Sequence, residues 1–137
     1  GNPVCIPPLH KLWELQVGYR IHGITGKAIS GWDPDWLVIA EQGGDPLIFD
    51  CTHRAILFDF HGAGTWTPKS LCPDLLTTIG AIATVGNSMT TLGDDAHDDE
   101  LDLKEEARIV VTRQLGAFLG SIKEATNFLR IWAWYAE

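Results

Sequence analysis

Between Trp36 and Phe60 three apolar runs, WLVIA, LIFD and AILFDF, are separated only by the short stretches EQGGDP and CTHR. Connections this short cannot carry a parallel crossover, which needs roughly a dozen residues or more, so the three runs must form an antiparallel meander. The run from Trp36 is apolar at successive positions, as expected of a strand covered on both faces. Glycine at 43 and 44 permits the positive φ of a tight hairpin, and Pro46 biases Asp45 towards an extended conformation. The Asp45 carboxylate is expected to accept the N–H of Leu47 in an Asx turn. On this reading Gly43, Gly44, Asp45 and Pro46 form a structural corner. A phosphate cradle would need a following helix and a nearby Lys or Arg, and neither is present.

After HGAGTWTP the period changes. Leu75, Ile79 and Ile82 predict a helix from about Ser70 or Asp74 to Thr84, ended by Gly86 and Asn87. Asp102 to Glu105 resembles a capping box before a helix carrying Leu103, Ala107, Val110, Val111, Leu115, Phe118 and Leu119. Gly120 stops that helix, and Ser121 to Glu124 opens a last one, with Ile122, Ala125, Phe128, Leu129 and Trp132 on one face. At the N-terminal end, LHKLWELQ after Pro7 and Pro8 predicts a short helix ending near Gly18. Residues 19–35 read as a loop with at most one short strand. Grouped strands before grouped helices give an α+β fold, a twisted, mainly antiparallel sheet of about four to six strands with helices packed around it. At 137 residues the chain is read as a single domain over 1–137.

The chain has 18 acids against 10 bases, a net charge of -8, and residues 94–106 hold a dense block of the acids. Such a balance repels phosphate and disfavours nucleic acid as a partner, whereas a basic protein would be attracted and steered. No run reaches the roughly 20 apolar residues of a membrane span and no signal peptide is evident, so a cytoplasmic protein with no membrane partner is expected. Gly1 stands where an initiator Met would and reads as a cloning remnant or as the cut end of a longer protein. Cys5, Cys51 and Cys72 match no metal or redox spacing and are expected to be small buried or half-buried thiols.

Three constellations invite chemistry. Asp45, His53 and His61 would serve a small hydrolase or metal enzyme if they converged. His61-Gly62-Ala63-Gly64 has the look of an oxyanion loop, but its partner motif G-x-S-x-G is absent. Asp95, His97, Asp99 and Glu106 stand at spacings 1, 3, 5 and 12 of a calcium loop, with Glu100 where Gly is required and an imidazole where an oxygen is wanted. No catalytic, metal or cofactor site is therefore assigned. Asp94, Asp95, Asp98, Asp99 and Glu100 instead form a candidate surface for a basic partner. Trp13, Trp36 and Trp132 fit apolar periodicity and are expected in the core. Trp32 and Trp134 sit in polar surroundings and are candidate exposed anchors.

The combination LWELQVGYRIHG, WDPDWLVIAEQGGDPLIFD, a strand and HGAGTW resembles the SUKH superfamily, which joins fungal Smi/Knr-type cell-wall-synthesis regulators to bacterial toxin-immunity proteins. The family's W-x-V-I-A-x-x-G-G-D-P segment falls here on Trp36, Val38, Ile39, Ala40, Gly43, Gly44, Asp45 and Pro46, and its later Trp on Trp66. The likeness covers roughly residues 9–70; the usual A-x-S-F-x-x-F-L helix is poorly reproduced, and residues 88–137 carry no assignable pattern. The resemblance implies an α+β fold, no enzymatic activity, no cofactor, and most readily an immunity protein that binds a nuclease-like toxin. The alternative it implies is a regulatory or scaffold domain of the fungal type.

Overall fold

The computed structural model describes residues 4–98, 102–132 and 134. They fall into two compact units, Asn2–Leu75 and Leu76–Glu137. The first holds the sheet: β1 (Val4–Cys5), β2 (Trp36–Gln42), β3 (Asp45–Asp50), β4 (Ile56–Phe58) and β5 (Lys69–Cys72), in that order and antiparallel throughout. The three predicted strands are β2, β3 and β4. Val4 to Cys5 and Lys69 to Cys72 add the two edges, so Ser70 belongs to a strand and not to a helix start.

The β2–β3 hairpin is the one its glycines require. Gln42 pairs with Asp45, and the two residues between them, Gly43 and Gly44, have φ of 63° and 94°. Positive φ at both central positions is the type I′ arrangement whose twist matches that of the strands. Pro46 lies second in β3, one residue before the pairing with β4 begins at Leu47, where a strand tolerates a missing N–H. A bulge falls between Val38 and Ala40 in β2.

The segment before β2 departs from expectation. Instead of one helix over 9–16 there are two 3₁₀ turns, Leu9–Lys11 and Glu14–Gln16. Their bonds run three residues back, from Leu12 N to Leu9 O and from Val17 N to Glu14 O. Side chains therefore leave the helical spacing on which a core position for Trp13 depended: Trp13 is 61% exposed. Gln16 takes the buried place. Its Nε2 donates to Val38 O (2.8 Å) and Leu12 O (2.9 Å), and its Oε1 accepts the N–H of Val38 (3.0 Å). β1 accompanies β2 only at Glu41 and Gln42, so this carboxamide supplies the edge partner that Val38 otherwise lacks. Val38 and Ile48 then pack with Tyr19 and Trp32 as a core, flanked by Leu15, Trp36, Leu57 and Trp66.

The second unit is helical: α1 (Leu75–Leu92), a 3₁₀ turn (Gly93–Ala96), α2 (Glu105–Leu119) and α3 (Ile122–Ile131). α1 runs through Gly86 and Asn87 and ends at Gly93, whose φ is 64°. Tertiary burial overrides the local stop signal, since Val85 and Ser88 on either side are buried. Ser88 donates to Thr84 O (2.8 Å) and reaches Gln114 Oε1 on α2 (2.6 Å). The capping box expected at Asp102 does not form: Lys104 caps α2 without a side-chain bond, and the Asp102 N–H is drawn to Asp98 Oδ1 (2.9 Å). Gly120 closes α2 with φ 82°, and Ser121 opens α3 by accepting the Glu124 N–H (3.4 Å). Val111, Leu115, Ala125, Phe128, Leu129 and Trp132 are buried, whereas Phe118 and Ile122 are 47% and 54% exposed.

Together these elements make the α+β fold that the grouping of the runs predicts. Among the described residues no helix is long and apolar enough to cross a membrane. The thiols divide differently from expectation: Cys72 is buried, but Cys5 on the edge strand and Cys51 in the β3–β4 turn are exposed.

Candidate functional site

The conspicuous residues of the sheet unit converge on Tyr19. Its ring centroid lies 5.9 Å from those of Trp32, Trp66 and His61, and Trp32 stands edge-on to Trp66 (5.0 Å) and Trp36 (5.6 Å). Contacts of this kind add roughly 0.5–1.5 kcal/mol per pair beyond area burial. Trp32 is thus only 7% exposed, with its Nε1 donating to Trp36 O (3.1 Å). The expectation of an exposed anchor at Trp32 is overturned, because the polar residues around it in sequence turn outward while its indole closes the core. Trp36 is partly buried against the same cluster, and Trp132 is buried in the helical unit.

The Tyr19 hydroxyl donates to Gly44 O (2.6 Å) and lies 3.1 Å from Glu41 Oε2. Burial pushes this phenol well above its ordinary value, and the Glu41 charge and hydrogen bond, then the Asp45 charge, push it further. Asp45 does not bond its own turn. Its Oδ1 accepts the backbone N–H of His61 (2.7 Å), sixteen residues on, and Leu47 is instead ladder-paired with Ala40 and Phe58. Asp59 ties the other side of the same loop, accepting from Phe60 N (2.9 Å) and Thr67 N (2.6 Å). Trp36, Gly43, Gly44, Asp45, Pro46 and Trp66 accordingly hold a hairpin, a loop and a core together. Tyr19, Glu41 and Asp59 complete that arrangement, and nothing in their local sequence marked them out.

His53 lies elsewhere. Asp45 opens β3 and Asp50 closes it, a strand run of roughly 16 Å, and His53 belongs to the Asp50 end. There the His53 Nδ1 sits 2.8 Å from Asp50 Oδ2, while Asp50 Oδ1 accepts the N–H groups of Thr52 (2.9 Å) and His53 (3.1 Å). The side-chain bond from His53 holds the Asp50 carboxyl below the usual carboxylate range. The backbone bonds from His53 and Thr52 act in the same direction and burial opposes them. Asp45, His53 and His61 therefore do not share one site, and the one link between two of them runs through a backbone amide. Among the described residues no three His, Cys, Asp or Glu side chains are placed to hold a metal ion.

The acidic stretch joins α1 to α2. Asp94, Asp98, Asp102, Glu105 and Glu106 are all exposed, and Ala96 is buried beneath them. His97 bridges to Leu103, and the N–H of Lys104 bonds Ala96 O (2.9 Å), so the two ends of the stretch are pinned. Asp99 and Glu100 lie outside the described residues, as does the Asp95 side chain. The described carboxylates of the stretch can attract a cationic surface; Glu105 and Glu106 also suit the first turn of α2.

Comparisons with protein-family models, curated proteins and solved structures found no match to this chain.

Proposed function

We propose that the chain is a non-enzymatic interaction module of the SUKH kind, acting as an immunity protein that binds and neutralises a basic, nuclease-like toxin domain. One observation carries the reading: a pinned connection between α1 and α2 presents Asp94, Asp98, Asp102, Glu105 and Glu106 to solvent in a chain whose net charge is -8. A nuclease must hold a polyanion, so its active-site cleft is cationic, and a cluster of exposed carboxylates can occupy that cleft in place of the phosphates. Long-range attraction speeds encounter and short-range pairing fixes orientation, while steering falls off with salt over a Debye length of roughly 8 Å. The signature residues of the sheet unit fit this role by building a scaffold, since Trp36 and Trp66 pack on the core and Asp45 Oδ1 accepts the His61 N–H.

The test is binding of purified toxin domain by the chain and by a variant carrying Asp94→Asn, Asp98→Asn, Asp102→Asn, Glu105→Gln and Glu106→Gln. Association slowed by at least about tenfold, with a flattened salt dependence, is the expected result. Affinity and salt dependence equal to those of the parent chain would overturn the reading.

A further inference from the structure

Residues 4–31 differ from the rest of the chain in charge and in what they expose. Lys11, Arg20 and Lys27 face a single carboxylate, Glu14, a local charge of +2 in a chain of -8. His10 and His22 are exposed in the same segment. Turns that face water normally carry polar residues, yet here Leu9 is 85% exposed, Trp13 61%, Val17 50% and Ile24 93%.

These side chains are held in place. The Arg20 guanidinium lies 5.8 Å from the centroid of the Trp13 ring, a cation over an aromatic face. Val17 packs so closely on Gly23 that a Cβ added there would meet its Cγ1 at 3.0 Å, which sets Val17 beside the turn bearing Ile24. That turn is tied by His22: its Nδ1 accepts the N–H groups of Ile24 and Thr25 (3.3 Å each), and its carbonyl accepts that of Gly26 (2.8 Å). Ile24 is thus fixed at the tip of a closed turn, and the Gln16 clamp on Val38 fixes the segment that carries Trp13. Exposed apolar side chains with an aromatic anchor and basic residues in one segment have the composition of a protein-binding patch.

We infer that this ledge is a second docking surface, and that its occupant is an acidic polypeptide segment with apolar side chains set between its carboxylates. The charge decides the occupant: a ledge that was only a solvated face of an acidic protein would share the sign of its surroundings, whereas this one opposes it. The apolar side chains would meet Trp13, Val17 and Ile24 while the carboxylates reach Lys11 and Lys27. The inference uses none of the carboxylates of the α1–α2 connection and stands independently of the toxin-binding reading.

The experiment is fluorescence anisotropy of a labelled synthetic peptide, Glu and Asp alternating with Leu and Phe, titrated with the whole chain. Saturable binding is expected, weakened at least about tenfold by Trp13→Ser, by Lys11→Gln with Lys27→Gln, or by raised salt. Circular dichroism checks that these surface variants keep the fold. The inference is overturned if the peptide does not bind, if a counterpart with Lys for each acid binds as well, or if Trp13→Ser leaves affinity unchanged. Preferential partition onto phosphatidylglycerol vesicles would equally overturn it, in favour of a lipid surface.

Discussion

At Val38 the edge of β2 has run out of neighbouring strand, and the Gln16 carboxamide, with one donor and one acceptor at the right spacing, closes both backbone groups at once. Gln16 is wholly buried, so its loss strands polar atoms that water cannot reach. Gln16→Leu should destabilise the chain by about 2–4 kcal/mol, since each buried group left unsatisfied costs roughly 1–3 kcal/mol. Gln16→Glu should cost more, because a carboxylate would then confront the carbonyls of Val38 and Leu12. Urea unfolding of both variants is the measurement, and a Leu variant as stable as the parent would refute the clamp. Residue-level roles of this kind were the least legible from sequence. Gln16 read as one more position on a helix, and Trp13 and Trp32 exchanged their expected places because a 3₁₀ turn and a looped Trp obey no 3.6-residue period. Asp45 read as bonding its own turn, and its actual partner, His61 N, is set by the meander's return.

At the scale of elements the local signals served well where the structure they encode is itself local. The Gly43 and Gly44 hairpin and the Ser121 cap stand where the residue types demand them. β1 and β5 were not legible, being only two and four residues long and existing through pairing with distant strands. The reach of α1 past Gly86 was hidden for a similar reason, as burial of Val85 and Ser88 decides it. Two glycines make the contrast measurable. Gly44 has φ of 94° with nothing within 4 Å of an added Cβ. Gly44→Ala should therefore cost only the backbone penalty, about 1–2 kcal/mol. Gly116 lies within α2, and an added Cβ would meet Ile122 Cδ1 at 2.6 Å and Ile122 Cα at 3.2 Å. Alanine there gains about 1 kcal/mol of helix propensity against roughly 1–3 kcal/mol of overpacking. A net loss is expected, and shortening the partner with Ile122→Val should restore part of it. Thermal unfolding of the two single variants and the double variant closes the cycle; independent, additive effects would show that the corner between α2 and α3 is not packed through this pair.

For the molecule as a whole, charge carries the proposed binding and shapes the response to pH. The acidic block was legible from composition alone, whereas the basic apolar ledge was not, because an expected core position for Trp13 concealed it. Asp50 and Tyr19 are shifted in opposite directions. The Asp50 carboxyl is held below its ordinary value of 3.8. Its contribution is present above that value and is lost as pH falls through the lowered folded-state value. Tyr19 is shifted the other way, above 10.0: its contribution is complete below pH 10, where the phenol is protonated in both states, and drains away as pH rises towards the folded-state value. There the unfolded chain ionises while the buried phenol must keep its proton against Glu41. Unfolding temperature against pH should therefore fall at both ends. Asp50→Asn should remove part of the acid limb and Tyr19→Phe part of the alkaline limb, each lowering stability near neutrality through its lost hydrogen bonds. Phenolate absorbance of the parent should therefore include a late rise that coincides with unfolding and is missing from Tyr19→Phe. A parent whose phenolate absorbance is complete near pH 10 while still folded would show that the bond from Tyr19 to Gly44 does not hold the hairpin against the loop that precedes it.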